Sequence, residues 1–397
     1  MIKNDINELF SRGIQNIYPT KEFLENKIKK GEKLTIYLGI DPTGPTLHLG
    51  HAIPIKKLAE FQKLGHKIIL LMGDFTAMIG DPTDKNATRK QLTHKEVMLN
   101  LKNYKQQASK LISFKGKNAA QFKFNSKWLG KMNFEKVLSL ASQMTVQQML
   151  ERDMFDKRNK DGKPIFIHEF MYPLMQGYDS VAMNVDGEIG GNDQTFNMLC
   201  GRDLMKTMKN KEKFVITMKL LEDNTGKKMG KTENNMLALC DSSEEMYGKI
   251  MSWTDGLILP GFELCTNISM SEIEIIARDL MEKNNQKELK MKLAKEIVTI
   301  YHGEKKALEA QEKWENTFSK KETPEDVPEI IAQESELLVD VLLKKQIVSS
   351  KSDFRRLVGE NAITNLDTNE KISSNIEKVK EGTYRIGKKR FCKILIK

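Results

Sequence analysis

Cysteine is scarce in this chain. The four present, Cys200, Cys240, Cys265 and Cys392, are scattered without a CxxC pair. That spacing excludes a disulfide framework and the common zinc-ribbon patterns, and it fits free thiols in a reducing compartment. Long apolar runs are missing too, so no stretch reaches the length that spans a bilayer and no membrane partner is expected. The opening Met1-Ile2-Lys3-Asn4-Asp5 has no apolar signal core, so the expected location is the cytoplasm. Internal repeats and low-complexity tracts are absent. What is there, 397 residues of which 39% are hydrophobic and 30% charged, suits a globular chain of two or three domains.

Charge is unevenly spread. The formal net charge is +10, and residues 341–397 hold 14 Lys and Arg against 6 Asp and Glu, so most of the excess sits there. Apolar residues are interleaved throughout that stretch. This argues for a basic module facing a polyanion rather than a solvated Lys-rich tail.

The chemistry is concentrated between Tyr37 and His51. Leu34 to Ile40 is the β-branched and apolar run of a buried strand, which Gly39, Pro42, Gly44 and Pro45 break before a helix beginning near Leu47. Such a loop opens at the carboxyl end of a strand. There, open α/β sheets bind ligands, and a helix amino terminus turns its N–H groups toward an anion. His48 and His51 share one side of the first turn, and Gly50 lets a ligand approach the backbone. No third Cys, His or carboxylate lies near at ligand spacing, so no metal is expected.

Around this stretch the pattern predicts an α/β fold. Residues 4–32 read as helical, Ile53 to Leu64 continues the first-loop helix, and Lys67 to Met72 is a second strand, making a βαβ unit and a parallel sheet. A capping box from Thr93 to Glu96 opens a helix over 93–111. Residues 113–170 form a connecting insertion with helices over 133–142 and 145–156. A helix over 170–183 follows, then a strand ending in Gly190-Gly191-Asn192-Asp193-Gln194, a helix from Thr195 and a strand over 214–221. Ser242, capped by Glu245, starts a helical run to Phe318, and Lys320 to Glu329 has linker composition. Beyond it lie helices over 337–344 and 351–358 and short β segments over 362–365 and 390–396. Within the helix over 170–183, Tyr172, Gln176 and Asp179 fall at i, i+4 and i+7 on one face. Their neighbours Phe170, Met171, Leu174, Met175 and Val181 are apolar, so the face reads as a pocket lining rather than a solvated stripe.

A second element, Lys227-Lys228-Met229-Gly230-Lys231-Thr232, would by itself be an ordinary solvated lysine run. His-Leu-Gly-His followed by Lys-Met-Gly-Lys-Thr, however, resembles the HIGH and KMSKS signatures of class I aminoacyl-tRNA synthetases. Over nearly the whole chain the pattern is most similar to the bacterial-type tyrosyl-tRNA synthetases. Ser-Lys-Ser-Asp-Phe-Arg-Arg-Leu-Val over 350–358, reinforced by the basic run ending in Lys388-Lys389-Arg390, resembles a small RNA-binding fold, the S-four-like domain.

The resemblance implies a Rossmann-like doubly wound parallel sheet, a nucleotide-binding catalytic domain over 1–240 with its insertion at 113–170. It also implies an all-helical domain over 241–319, a linker over 320–330 and a small α+β S-four-like RNA-binding domain over 331–397. The implied activity is tyrosine–tRNA ligation. Its partners are L-tyrosine, ATP with Mg²⁺ carried by the nucleotide, tRNA(Tyr), and a second copy of the chain docked through the insertion. His48, His51, Lys228, Lys231 and Thr232 are then the catalytic groups at the phosphates. Gly39, Asp41, Thr43, Gly50, Gly191, Asp193 and Gln194, with His48, His51 and Lys231, hold ATP. Tyr37, Asp81, Tyr172, Gln176 and Asp179 hold tyrosine, while Arg355, Arg356, Lys388, Lys389 and Arg390 meet RNA. Two departures stand out: Glu188 replaces a Gln and Thr195 a Trp found in many members. Asn125 and Trp128 are candidate pocket walls, core packing being the ordinary reading of the Trp. Tryptophan-specific relatives share the fold and both signatures but normally lack the basic module and the pairing of Tyr37 with Asp179.

Overall fold

The computed structural model describes residues 8–82, 92–222, 236–282, 285–318, 327–368, 370–387 and 390–396. Lys228, Lys231, Thr232, Lys388 and Lys389 lie outside them. The chain divides into two compact units, Met1–Gln311 and Glu312–Lys397.

The first unit is built on a six-stranded sheet of β1 (Ile14–Tyr18), β2 (Thr35–Ile40), β3 (Lys67–Met72), β4 (Gln121–Phe124), β5 (Gly187–Gly191) and β6 (Phe214–Met218), in the order β1-β6-β5-β2-β3-β4. All neighbours are parallel except β1 with β6. Central strands of a parallel sheet are covered on both faces and read as continuous apolar runs. β6 is buried along its whole length, and so is β3 after Lys67. Strand order reverses between β5 and β2, and these two pair only at Ile36 with Gly187 and Tyr37 with Glu188. β2 and β3, by contrast, are in register over all six residues from Thr35 to Ile40. The short β2–β5 pairing leaves a crevice at their carboxyl ends, the ligand position of a doubly wound sheet.

Helix α1 (Leu49–Lys63) follows β2 and buries Leu49, Ile53, Ile55, Leu58 and Phe61. Each such side chain contributes roughly 1.5–3 kcal/mol by leaving water. Helices α2 (His94–Leu101) and α3 (Tyr104–Ala108) come next, and α4 (Ile167–Met183) and α5 (Thr195–Lys209) flank β5 in sequence. α4 and α5 meet at glycines: a β-carbon on Gly177 would lie 3.1 Å from the Gly201 nitrogen. Five helices from Ser243 to Phe318 complete the helical run, opened by a capping box in which the Glu245 N–H donates to Ser242 Oγ at 3.3 Å. Arg12 binds this run to the sheet, donating to the carbonyls of Phe262, Glu263, Thr266 and Ile268 at 2.6–3.2 Å.

Several elements differ from the sequence expectation. Residues 4–32 were expected to be helical, but Ile14–Tyr18 forms β1, because β6 supplies an antiparallel partner across 200 residues of chain that no local pattern reveals. The helix expected over 93–111 is interrupted at Lys102 and Asn103, although its Thr93–Glu96 capping box is formed. The insertion contains the unforeseen edge strand β4. α4 begins at Ile167 rather than 170, since Glu169 accepts from the Phe166 N–H at 2.8 Å and pairs with buried Arg158. Pro173 therefore lies inside the helix.

The second unit is α+β. Strands β7 (Glu329–Ala332), β8 (Ile363–Asn365), β9 (Glu370–Lys371), β10 (Gly382–Ile386) and β11 (Arg390–Ile396) run in the order β7-β11-β10-β8-β9. Only β7 with β11 is parallel. Helices Leu338–Lys344 and Lys351–Gly359 close a core of Leu338, Leu342, Phe354, Leu357, Tyr384 and Ile394. β7 starts inside the stretch read as linker. Ile330 and Ala332 are buried, an alternation too short to stand out beside Pro324 and Pro328.

Candidate active site

A cleft of about 1050 Å³ opens where β2 and β5 part. Every described residue expected to bind nucleotide or amino acid lines it: Tyr37, Gly39, Asp41, Thr43, His48, Gly50, His51, Asp81, Tyr172, Gln176, Asp179, Gly191, Asp193 and Gln194. Among the described residues there is no cluster of three or more His, Cys, Asp or Glu able to hold a metal ion.

At one end stands the loop between β2 and α1. His48 caps α1, and its N–H donates to His51 Nδ1 at 3.3 Å, with the two rings 3.9 Å apart. An Nδ1 that accepts a hydrogen bond carries no proton, so neutral His51 keeps its N–H donor on Nε2. A β-carbon on Gly50 would sit 3.0 Å from the His48 ring, so glycine permits this stacking. The loop backbone is held from outside by three side chains at helical spacing. Asn100 donates to the Pro42 carbonyl at 2.9 Å and Tyr104 to the Gly44 carbonyl at 2.6 Å, while Gln107 accepts from the Leu47 N–H at 2.7 Å. Burial pushes the Tyr104 hydroxyl pKa up to about 12, so it stays a donor. Leu237 and Leu239 flank the same loop, exchanging backbone bonds with Leu49 and Leu47. Leu221 and Met236, on either side of the lysine signature, both line the cleft.

The cleft is also walled by acids, Asp81 and Asp179 buried and Asp41 partly buried, each with partners. Asp41 accepts from Thr76 Oγ1 at 2.7 Å and from the Tyr172 hydroxyl at 2.9 Å. It lies so close to Gly73 that a β-carbon there would fall 1.9 Å from its Oδ1. Asp81 accepts from Gln194 Nε2 at 2.8 Å and from Arg152 at 3.3 Å. Asp179 accepts from the Trp128 indole N–H at 2.7 Å and from Asn125 at 3.2 Å. Its pKa is raised well above the ordinary carboxyl value, first by burial and then by Glu188 and Asp41, against the pull of those two bonds. Tyr37 is fully buried, its hydroxyl 3.0 Å from Ser180 Oγ. Burial, with Glu188 and Asp179 nearby, raises its pKa well above normal, so it remains a neutral phenol.

Trp128, read from sequence mainly as a core residue, uses its indole nitrogen on Asp179 while its ring packs against Tyr172 and Met175. Arg152, Ser180 and Lys213 escaped the sequence reading altogether. A lone Arg or Lys carries no periodic signal, and only the pairing of β5 with β6 brings Lys213 under the cleft. In the second unit, Arg390 donates to Asp353 at 3.0 Å and to the Ile347 carbonyl at 2.8 Å, and Arg356 pairs with Asp353 and Glu360. Arg390, the Ser349 N–H and Arg356 hold the Asp353 carboxyl far below the usual range. Arg355 is exposed on the same helix.

The sheet order, the crevice at its switch point and the histidine-capped helix above it belong to a known group. Residues 29–319 match the family described as tRNA synthetases class I (W and Y), and the chain belongs to that family. Its relatives narrow the group. It is 43% identical over 396 residues to tyrosine–tRNA ligase 2 of Clostridium acetobutylicum, covering 98% of each chain. It is also 43% identical to the tyrosine–tRNA ligase of Thermotoga maritima, over 98% of this chain and 96% of that one. The branch is therefore that of the bacterial-type tyrosyl-tRNA synthetases. The fold is similar to a truncated mitochondrial tyrosyl-tRNA synthetase of Aspergillus nidulans (TM-score 0.67, 22% identity, 80% of this chain and 94% of that one). It is also similar to the Archaeoglobus fulgidus enzyme solved with L-tyrosine (TM-score 0.61, 20% identity, 77% and 98%).

The clamp on the first loop makes a prediction. Tyr104→Phe keeps the packing and deletes one hydrogen bond worth about 1 kcal/mol. Pyrophosphate exchange should therefore slow roughly five-fold in a protein that still folds. An unchanged rate would show that the loop holds its shape without the clamp.

Proposed function

We propose that the cleft between β2 and β5 is where this tyrosine–tRNA ligase joins L-tyrosine to ATP. The tyrosine carboxylate attacks the α-phosphate, tyrosyl-adenylate forms and pyrophosphate leaves, after which tyrosine passes to the 3′ end of tRNA(Tyr) for translation. The attacker is already an anion, so the reaction needs positioning and charge stabilisation more than a base. His48 and His51, at the amino terminus of α1, supply donors over the phosphates. Lys228, Lys231 and Thr232 close over them, by their match to the family signature, and Mg²⁺ arrives on the nucleotide. Gly39, Asp41, Thr43, Gly50, Gly191, Asp193 and Gln194 line the nucleotide's path. Asp81, Tyr172 and Gln176 receive the tyrosine ammonium, and Tyr37 with Asp179 receives its phenol.

The observation that carries this reading is Asp179, a buried carboxylate that lines the cleft and is fixed by Trp128 and Asn125. A hydroxyl that donates to Asp179 and accepts from Tyr37 satisfies both. The acidic residue also sets a pH dependence. A raised pKa means that in the pH range above the ordinary carboxyl values Asp179 gains its proton and accepts from a phenol more weakly than the carboxylate does. The KM for tyrosine in pyrophosphate exchange should rise on acidification through that range while the KM for ATP stays level, and Asp179→Asn should abolish this limb. Exchange with L-tryptophan in place of L-tyrosine would overturn the assignment.

The second unit is read as the S-four-like RNA-binding module, with the helical run over 241–319 on the anticodon side of the tRNA. Its excess charge and the exposed Arg355 support this. Arg356 and Arg390 have carboxylate partners that phosphate would have to displace, and Lys388 and Lys389 rest on the resemblance alone. Removing residues 327–397 should leave tyrosine-dependent exchange intact and abolish tRNA charging; normal charging would end this division of labour.

Exposed apolar side chains in the connecting insertion support a homodimer: Phe134 at 75%, Leu138 at 55%, Val146 at 58% and Ile167 at 82%. The native chain should sediment as a dimer at micromolar concentration and Phe134→Asp with Leu138→Asp as a monomer. A native monomer would remove the proposal. The scattered free thiols fit a cytoplasmic enzyme, and among the described residues no helix is long and apolar enough to cross a membrane.

A further inference from the structure

Lys213 is completely buried (0% exposed), and so is its partner Glu188 (2%). Two charges withdrawn from water are costly to keep unless every bond they can make is used. Here the ammonium donates to Glu188 Oε2 and, at 2.9 Å, to Ser180 Oγ. Gly201 on α5 provides the space, since a β-carbon there would lie 2.7 Å from Lys213 Nζ and 3.0 Å from Ser180 Oγ. The pair does not end in the core. Glu188 Oε1 accepts from Gln176 Nε2 at 3.2 Å, and Ser180 Oγ lies 3.0 Å from the Tyr37 hydroxyl. A chain of five side chains thus runs from Gln176 through Glu188, Lys213 and Ser180 to Tyr37, and both of its ends line the cleft.

Hydrogen-bond chemistry gives this chain a direction. An ammonium only donates and a carboxylate only accepts. Gln176 must therefore turn its NH₂ toward Glu188, which leaves its carbonyl oxygen as the group offered to the cleft. Ser180 accepts from Lys213 and can give its own proton to the Tyr37 oxygen, the sense in which its bond lowers the Tyr37 pKa, and the Tyr37 proton is then available to Glu188 or to a ligand. Glu188 is the acceptor that competes for that proton: Lys213 and Gln176 each take one lone pair of its two oxygens, and the remaining lone pairs stay open to the phenol until a ligand takes the proton. We propose that Lys213 is a positioning residue for amino-acid recognition. Through Ser180 and Glu188 it fixes Tyr37 as a donor and Gln176 as an acceptor, the polarity that a substrate with a phenol and an ammonium requires. It also accounts for Glu188 standing where many members carry Gln: a neutral amide opposite Gln176 could donate or accept, whereas a carboxylate with its own counter-ion enforces one orientation.

The inference rests on the tyrosine reading of the cleft, and the tests separate the two. Ser180→Ala leaves the ion pair in place and cuts the link to Tyr37. It should lower the tyrosine-to-phenylalanine ratio of kcat/KM in pyrophosphate exchange about ten-fold, the weight of one good hydrogen bond, without changing the KM for ATP. In a Tyr37→Phe background the same substitution should change the ratio no further. Lys213→Met combined with Glu188→Gln removes both charges together, so no lone ion is stranded. It should raise the KM for tyrosine about ten-fold, again sparing ATP. Wild-type ratios in these variants would overturn the proposal. So would an equal loss with both amino acids and a lowered melting temperature, which is what a purely structural pair would give. A native enzyme that does not exchange with tyrosine would instead overturn the reading of the cleft, and this proposal with it.

Discussion

Everything at the site depends on how briefly β2 and β5 touch. Parallel strands at a switch point send their chains apart, and here the ladder stops after Tyr37 and Glu188, leaving the ends of both strands to face each other across a crevice. On its other side β5 lies close against β6 at Gly187, where a β-carbon would fall 2.0 Å from the Phe214 ring. The loop that carries His48 and His51 leaves from one strand, and the strip carrying Gly191, Asp193 and Gln194 leaves from the other. His51 and Gly191 therefore line one cleft although they lie some 140 residues apart in the chain.

The acids of that cleft are a problem in burying charge. Asp81, Asp179 and Glu188 are buried and Asp41 is partly buried, and an unpaired buried carboxylate would cost several kcal/mol. Each is met by donors from a different element: Thr76 and Tyr172, Gln194 and Arg152, Trp128 and Asn125, Lys213 and Gln176. These partners fix the acids before any substrate arrives, so recognition pays little reorganisation. Burial first, and then the neighbouring acids, raise the pKa of Asp179. The second unit handles charge differently: Asp353 gathers Arg356 and Arg390 at the surface.

Much of this was legible in the chain. The strand, loop and helix around His48 follow from local chemistry, as do the capping boxes at Thr93 and Ser242 and the helix face bearing Tyr172, Gln176 and Asp179. Periodicity and breakers act over a few residues and leave their mark in the sequence. Elements whose stability comes from a distant partner left no such mark: β1 needs β6, β4 needs β3, and β7 needs β11. Trp128 packs against the core as its residue type suggests, and its indole bond to Asp179 is what the sequence did not announce.

What the sequence determined by itself was the doubly wound α/β class, the two signatures and, through their resemblance to a known family, the kind of ligase. What only the tertiary structure decided was who pairs with whom beneath the cleft. Lys213, Arg152 and Ser180 acquire their roles from strand and helix packing, because a hydrogen bond depends on position within a few tenths of an ångström. Residue type alone states only what a side chain can donate or accept.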